Sequence, residues 1–469
     1  MGALRSKIGW VVAGIVVTVS MVFLVLSGVT SAFYPALLCL LPIVGLVLLR
    51  RDLQTPLLSP VWITVGVLSA TGFFGYVLAD KLEGLEGGGM TLRLTPEVRV
   101  ETAILFALSA GLIVVGAAAV VLLRRAGGHS TSLREGISFA RGAERWILPL
   151  TLVPMVLVVG SLGDRLVYRT VYLAGGAEMT LFGLGQQLAI AAAAVLGYVA
   201  ANSASRSIRI GTLLLLAAYI VVFLGMGSRR LALIPLCFAI GYALAKPRRA
   251  LRAVIPTGLA AVLLLPLPLF FRDSAVHGLV PYASKLAEFS YFEVDWPETL
   301  NNVLIAFPTT GITAFGVAPI PLQNLVISLN PAPGGMAGWY DISRDMNLNA
   351  WTPFSAVGEL GNYGQPWLTL VWVGFGVVLG SLEMLVTRLL ALRQPLFGIA
   401  IVGLSALFAL QSIQYGLRLS SRMIVYAVLA GLVGLLIARR VRPKGRVVTA
   451  APRQSVAVGL SSNRMPRVD

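Results

Sequence analysis

Cysteine, histidine and acid are all scarce in this chain of 469 residues. Its two cysteines, Cys39 and Cys237, lie inside separate apolar stretches. That excludes a disulfide framework and a thiolate metal site, and both read as small buried hydrophobes. Histidine also occurs only twice, as His129 and His277. With so few soft ligands no zinc site is expected, and no pattern calls for another metal or a cofactor. Charged residues amount to 12% against 57% hydrophobic ones, with a mean hydropathy of +0.84. Soluble domains lie outside that range, and polytopic helical membrane proteins lie within it.

There are 20 acidic residues against 37 Lys and Arg, a formal net charge of +17. The basic residues crowd into every second loop between about twelve apolar stretches. Placing those loops in the cytoplasm puts 25 basic residues inside with four acids, Asp52, Glu135, Glu144 and Asp469. The outer face then carries 12 basic and 15 acidic residues, and Glu383 falls within a span. This positive-inside pattern predicts two cytoplasmic termini. It explains the excess charge by topology and anionic lipid headgroups rather than by a nucleic-acid partner.

The apolar stretches lie near 9–27, 31–49, 57–79, 102–123, 146–162, 179–201, 210–226, 231–245, 253–271, 366–387, 395–413 and 423–438. The first follows Arg5 and Lys7 and is longer than a signal-peptide core, so it reads as a retained span. The expectation is an all-α polytopic integral membrane protein with about 12 transmembrane helices. Its helical bundle covers 1–438, and 439–469 reads as a basic, disordered cytoplasmic tail. One large outer-face loop, 272–365, joins spans nine and ten. Within it, 303–329 is apolar enough to span but contains Pro308, Pro319 and Pro321. A crossing there would invert every later loop. The segment therefore reads as interfacial, re-entrant or packed on the bundle, where protein covers the broken helix. No internal repeat supports an inverted-repeat transporter.

Basic residues on the outer face break the charge rule and mark candidate sites. Spans seven and eight form a hairpin with GMGSRRLALIP at its tip. At ~1.5 Å per residue their rise is shorter than the ~30 Å hydrocarbon core. Arg229 and Arg230 are then expected at depth, facing a cavity or partner, with Gly225, Gly227 and the start of span eight adding backbone donors. Headgroup snorkelling is the alternative. Arg418 and Arg422 stand four apart before span twelve, with Gln411 and Gln414 beside them. If both helix starts face one cavity, several guanidiniums converge on one polyanion, for which arginine is suited. Arg165 and Arg169 are explained equally well by pairing with Asp164. Glu383 is expected to pair with Arg388.

In the long loop, Arg272 closes span nine and His277 follows. Trp339, Tyr340, Arg344, Asn349, Trp351 and Tyr363 mix rings, amides and charge as a carbohydrate site does. Glu359, Asp345 and His277, in that order, are the candidates for a general base.

Three further motifs carry a family likeness. Gly227-Ser228-Arg229 opens a helix, Thr352-Pro353 precedes Gly358-Glu359-Leu360-Gly361-Asn362-Tyr363-Gly364, and Ser59-Pro60-Val61-Trp62 opens the third span. In these, and in hydropathy over most of its length, the chain resembles the bacterial oligosaccharide repeat unit polymerases, the Wzy-like O-antigen polymerase family. The resemblance implies a metal-independent glycosyltransferase of the bacterial plasma membrane. Its substrate would be an undecaprenyl-pyrophosphate-linked glycan, passed to the terminal hydroxyl of an incoming lipid-linked repeat unit. A chain-length regulator and a flippase are the implied protein partners. Arg229, Arg230, Arg418, Arg422 and Arg272 would hold the pyrophosphate, and Glu359 would deprotonate the acceptor. The related O-antigen ligases share an Arg-x-x-x-Leu element, met by Arg229 to Leu233, and use an outer-loop histidine, for which His277 is the candidate. A ligase-like transferase and a flippase of lipid-linked sugars remain the alternatives.

Overall fold

The computed structural model describes residues 34–49, 53, 59–79, 94–126, 144–171, 179–246, 251–272, 274–294, 296, 299, 305–349, 352–392 and 394–440. Among these, nine helices are long and apolar enough to cross a membrane, and apolar helices at Tyr34–Leu49 and Arg230–Ala245 are shorter. The protein is an all-α polytopic membrane protein. The expected first span and the tail beyond residue 440 lie outside the described residues.

The first group of helices comprises α1 (Tyr34–Leu49), α2 (Pro60–Val77) and α3 (Pro96–Ala126). Next come α4 (Glu144–Leu150), α5 (Val153–Leu162) and a short 3-10 turn, Gly163–Leu166. Helix α6 (Met179–Asn202) precedes the hairpin of α7 (Arg206–Gly225) and α8 (Leu233–Ala245), whose tip is a 3-10 turn, Arg229–Ala232. Helices α9 (Leu251–Leu264) and α10 (Leu267–Arg272) are one apolar path broken at Pro266. The long loop contains α11 (Leu279–Leu286), α12 (Ala306–Gly311), a π turn (Ile312–Gly316), α13 (Leu322–Leu329) and α14 (Trp339–Ile342). A two-stranded hairpin, β1 (Asn347–Asn349) with β2 (Thr352–Pro353), then leads into α15 (Ala356–Asn362). The chain finishes with α16 (Gln365–Ala391), α17 (Pro395–Gln414) and α18 (Leu417–Arg440).

Glycine decides which helices touch. Where lipid supplies no hydrophobic drive between helices, small residues let backbones approach and gain dispersion contacts. A Cβ on Gly116 of α3 would stand 2.7 Å from Val377 N of α16, and one on Gly376 would stand 2.9 Å from Ile113 Cα. Gly197 of α6 and Gly241 of α8 do the same for the second close pair: Cβ atoms there would lie 3.0 Å from Tyr242 N and 2.9 Å from Tyr198 N. One set of helices (α1, α2, α3, α16, α17, α18) and another (α5 to α9) are thereby built around separate pairs, and α6 packs on α17 to join them.

Two expectations change. Span seven is not short: α7 runs 20 residues, about 30 Å at ~1.5 Å each, and matches the hydrocarbon thickness. Glu383 was expected beside Arg388, five residues on; instead Ser59 Oγ donates to Glu383 Oε2 at 2.5 Å, and Arg388 is exposed. Ser59 also accepts from Trp62 N at 3.1 Å as the N-cap of α2, with Pro60 at the first helical position.

The segment 306–329 packs on the bundle. Phe307 of α12 stacks on Phe106 of α3 with centroids 6.0 Å apart, and Gly75 of α2 leaves the space for its ring. Thr102 Oγ1 would lie 2.5 Å from a Cβ at Gly311. The π turn leaves carbonyls that an α-helix would use, and one side chain serves them. Asn362 Nδ2 donates to Thr313 O at 3.1 Å and Val317 O at 3.2 Å, while its Oδ1 accepts from Ile320 N at 2.8 Å.

Candidate functional site

The arginine hairpin tip is built from a glycine turn. Gly227 takes φ +65°, a left-handed conformation that glycine adopts at little cost, and the chain reverses there. Ser228 Oγ then accepts from Arg230 N at 3.4 Å and starts the 3-10 turn. Half-buried Arg230 donates from Nη1 to Gln186 Oε1 of α6 at 3.1 Å. Gln186 Nε2 in turn reaches Met226 Sδ at 3.6 Å. The Arg229 and Arg272 side chains lie outside the described residues.

Beneath the tip lies a residue the sequence left as a local ion pair. Arg165 is exposed, but Arg169 is only 8% exposed. Its Nη1 donates to Gly225 O at 2.9 Å and Arg165 O at 3.1 Å, and its Nη2 to Met226 O at 3.0 Å. Arg169 and His277 also form a backbone bridge, with N–H to O distances of 2.8 and 2.7 Å in the two directions. The start of the long loop is thereby fixed to the tip. Leu279 of α11 fills the space beside Gly225, where a Cβ would lie 2.6 Å from Leu279 Cγ.

His277 does not stand open as a base. It is buried, its Nδ1 is 2.9 Å from Tyr282 OH, and Tyr282 stacks on Phe271 at 4.4 Å. Burial, with the nearby charges of Arg169 and Lys285, pushes its pKa below the ordinary histidine value. It is neutral at pH 7 and serves the packing of the loop.

The second concentration of function-bearing groups surrounds Glu359. Ser355 Oγ accepts from Gly358 N at 2.9 Å as the N-cap of α15, and Thr310 Oγ1 lies 2.7 Å from the same oxygen. A Cβ at Gly358 would meet Thr310 O at 2.7 Å, so glycine there lets α15 lie against α12. This aims Glu359 at the start of α18. Its side chain is fully buried, and its Oε2 accepts from Leu417 N at 2.8 Å, while Oε1 has no hydrogen-bond partner. Burial pushes the carboxyl up to about 7, against the pull of the Leu417 N–H and the nearby Ser328 and Tyr363 hydroxyls. Burial also raises the Tyr363 phenol, and the Glu359 charge raises it further.

Arg418 and Arg422 hold backbone. Arg418 Nη1 donates to Ile327 O at 2.7 Å and Asn330 O at 3.0 Å, and its Nη2 to Ala332 O at 2.6 Å. Arg422 Nη2 also donates to Ala332 O, at 2.9 Å. Ser421 Oγ donates to Ser328 O at 3.1 Å. The Ile327, Ser328 and Asn330 carbonyls end α13, the negative pole of its dipole, where cations are favoured, and Ala332 lies in the turn just beyond. The expected convergence of Arg418 and Arg422 with Arg229 and Arg230 on one polyanion is thus replaced by two different tasks. Arg230 bonds a side chain at the hairpin tip, and the later pair staples the long loop to the last span.

Of the sugar candidates, half-buried Trp339 lies under the Arg418 guanidinium, 5.2 Å from ring centroid to Cζ. Tyr340 is exposed beside Gly334, and Arg344 and Asp345 are exposed on the turn before β1. Asn349 Oδ1 accepts from Thr352 N at 2.8 Å and shapes the β hairpin. Tyr363 is half-buried one turn after Glu359, and Trp351 lies outside the described residues. The structure therefore groups Glu359 and Tyr363 with Ser328, and Trp339 with Arg418, and leaves Asp345 in solvent.

No family model, curated protein or solved structure matches the chain. Arg169 stands out in sequence only as a neighbour of Asp164, and Asn362 only as a member of a motif. Gln186 and Ser328 carry no local signal, because their partners lie far away in the chain.

Proposed function

We propose that this protein is a membrane glycosyltransferase that polymerises undecaprenyl-pyrophosphate-linked oligosaccharide repeat units on the outer face of a bacterial plasma membrane. About twelve spans with both termini in the cytoplasm, the arrangement that the positive-inside rule favours, would put the hairpin tip and the 272–365 loop on that face. The observation that carries the reading is the buried Glu359 carboxyl. A carboxyl set beside the Ser328 and Tyr363 hydroxyls, with a pKa pushed up to about 7, suits a group that must take a proton at physiological pH.

In this reading Arg229, Arg230 and Arg272 receive the donor pyrophosphate, and their guanidiniums stabilise the charge that develops on the leaving group. The acceptor hydroxyl oxygen forms the new bond to the anomeric carbon as the bond to pyrophosphate breaks, and its proton passes to Glu359 Oε1. Trp339 and Tyr340 offer ring faces for the glycan.

A deletion strain tests this. Single repeat units on the polyprenyl carrier, with no ladder, are expected. Full-length chains stranded on the carrier would mean ligation and would overturn the reading.

A further inference from the structure

The carbonyl end of α7 presents a problem for any anion at the hairpin tip. The last carbonyls of a helix carry the negative end of its dipole, roughly half a charge. Here they lie immediately before Gly227, Ser228 and the two tip arginines. An anion at Arg229 and Arg230 would stand close in the chain to that negative pole, since only the Gly227 turn and Ser228 lie between.

We propose that Arg169 is the positioning residue of an anion site at this tip, cancelling the α7 pole and fixing the turn that presents Arg229 and Arg230. This rests on the reading of the tip as the pyrophosphate site. The geometry is specific to the task. A single guanidinium spreads over the carbonyls of Gly225 and Met226, at 2.9 and 3.0 Å, so its two nitrogens grip consecutive residues of the helix end. Arg169 is itself anchored by the two backbone hydrogen bonds with His277 and by its own donation to Arg165 O. Gln186 completes the arrangement from α6, holding Arg230 through Oε1 and Met226 through Nε2. Arg169 touches no substrate. It acts through the tip, and the chemistry it prepares for is a phosphate or pyrophosphate dianion rather than a sugar. A lysine at this position keeps the charge but offers a single nitrogen in place of the rigid planar fork, so it does not reproduce the two-nitrogen grip on the helix end.

The test uses the full-length protein in lipid nanodiscs, titrated calorimetrically with inorganic pyrophosphate. Wild type is expected to bind saturably, with affinity falling as salt rises. Arg169→Met is expected to weaken the Kd by about tenfold or more with unchanged stoichiometry, and Arg169→Lys by an intermediate factor. Unchanged stoichiometry separates positioning from unfolding, because a merely structural loss lowers the fraction of competent protein and leaves the Kd of the remainder alone. If Arg169→Met does not fold, Arg169→Lys decides by the same measurement. Variants that bind pyrophosphate as wild type does overturn the proposal and leave the pyrophosphate reading of the tip intact. A wild type that fails to bind, while Arg230→Ala still makes polymer, overturns that reading and the proposal with it.

Discussion

Glu359 caps the last span from another helix: its Oε2 accepts the Leu417 N–H at 2.8 Å, across 58 positions of sequence. The bond places a carboxylate at the positive end of α18, which favours the charged form. Complete burial works the other way and wins, so the carboxyl is held near 7 rather than at its ordinary 4.5.

A pH dependence follows. Because the fold raises this pKa, the native state is favoured at low pH and loses that contribution as pH climbs from 4.5 through about 7. At about 1.4 kcal/mol per unit the effect is on the order of 3 kcal/mol. Wild type should therefore melt at a lower temperature at pH 8 than at pH 5, and Glu359→Gln should flatten that difference. Polymer synthesis should rise with pH to a midpoint near 7 and be lost in Glu359→Gln. Wild-type polymer from that variant would remove Glu359 as the base.

Arg230→Ala should reduce polymer at least tenfold with membrane abundance unchanged, because the side chain's described bond is a single one, to Gln186, on a half-buried surface. Arg230→Lys should restore little, since a point charge loses the bidentate geometry. Arg229→Ala is expected to abolish polymer altogether. Immunoblots of membranes alongside polymer gels read both effects.

Arg418→Ala should behave differently. It removes three hydrogen bonds, leaves Ala332 O to Arg422 alone and uncovers Trp339, so the loss is one of stability, a few kcal/mol by the cost of breaking buried charge-assisted bonds. Limited proteolysis and hydrogen exchange should show opening at 327–332 first. Protection there equal to wild type would show that the staple contributes nothing.

Gly376→Ala should separate α16 from α3. Its Cβ would fall 2.9 Å from Ile113 Cα, and neither backbone can yield without shifting a whole helix. A drop in melting temperature of several degrees is expected, whereas Gly374→Ala, with open space at its Cβ, should leave it unchanged.

The helical spans were readable in sequence because lipid forces a simple rule: each crossing needs a long apolar run that satisfies its own backbone. The same rule warned that 303–329, with three prolines, would need covering. What covers it could not be read, since Phe106, Gly75 and Asn362 lie up to 287 positions apart. The Gly358 to Gly364 motif was noticed as a likeness. Only the fold gives its members reasons: clearance on Thr310 for Gly358, a bond to Leu417 for Glu359 and carbonyl capping for Asn362.

Composition and charge pattern by themselves determined that this is a polytopic helical membrane chain with arginine-bearing turns and one large polar loop. Tertiary structure decided what each arginine does. A guanidinium's sequence context shows that a charge is present, but its energy depends on which donors and acceptors share its low-dielectric surroundings. Arg169 beneath the hairpin tip and Arg418 beneath the loop are both gripping helix ends, and those ends arrive from distant parts of the chain.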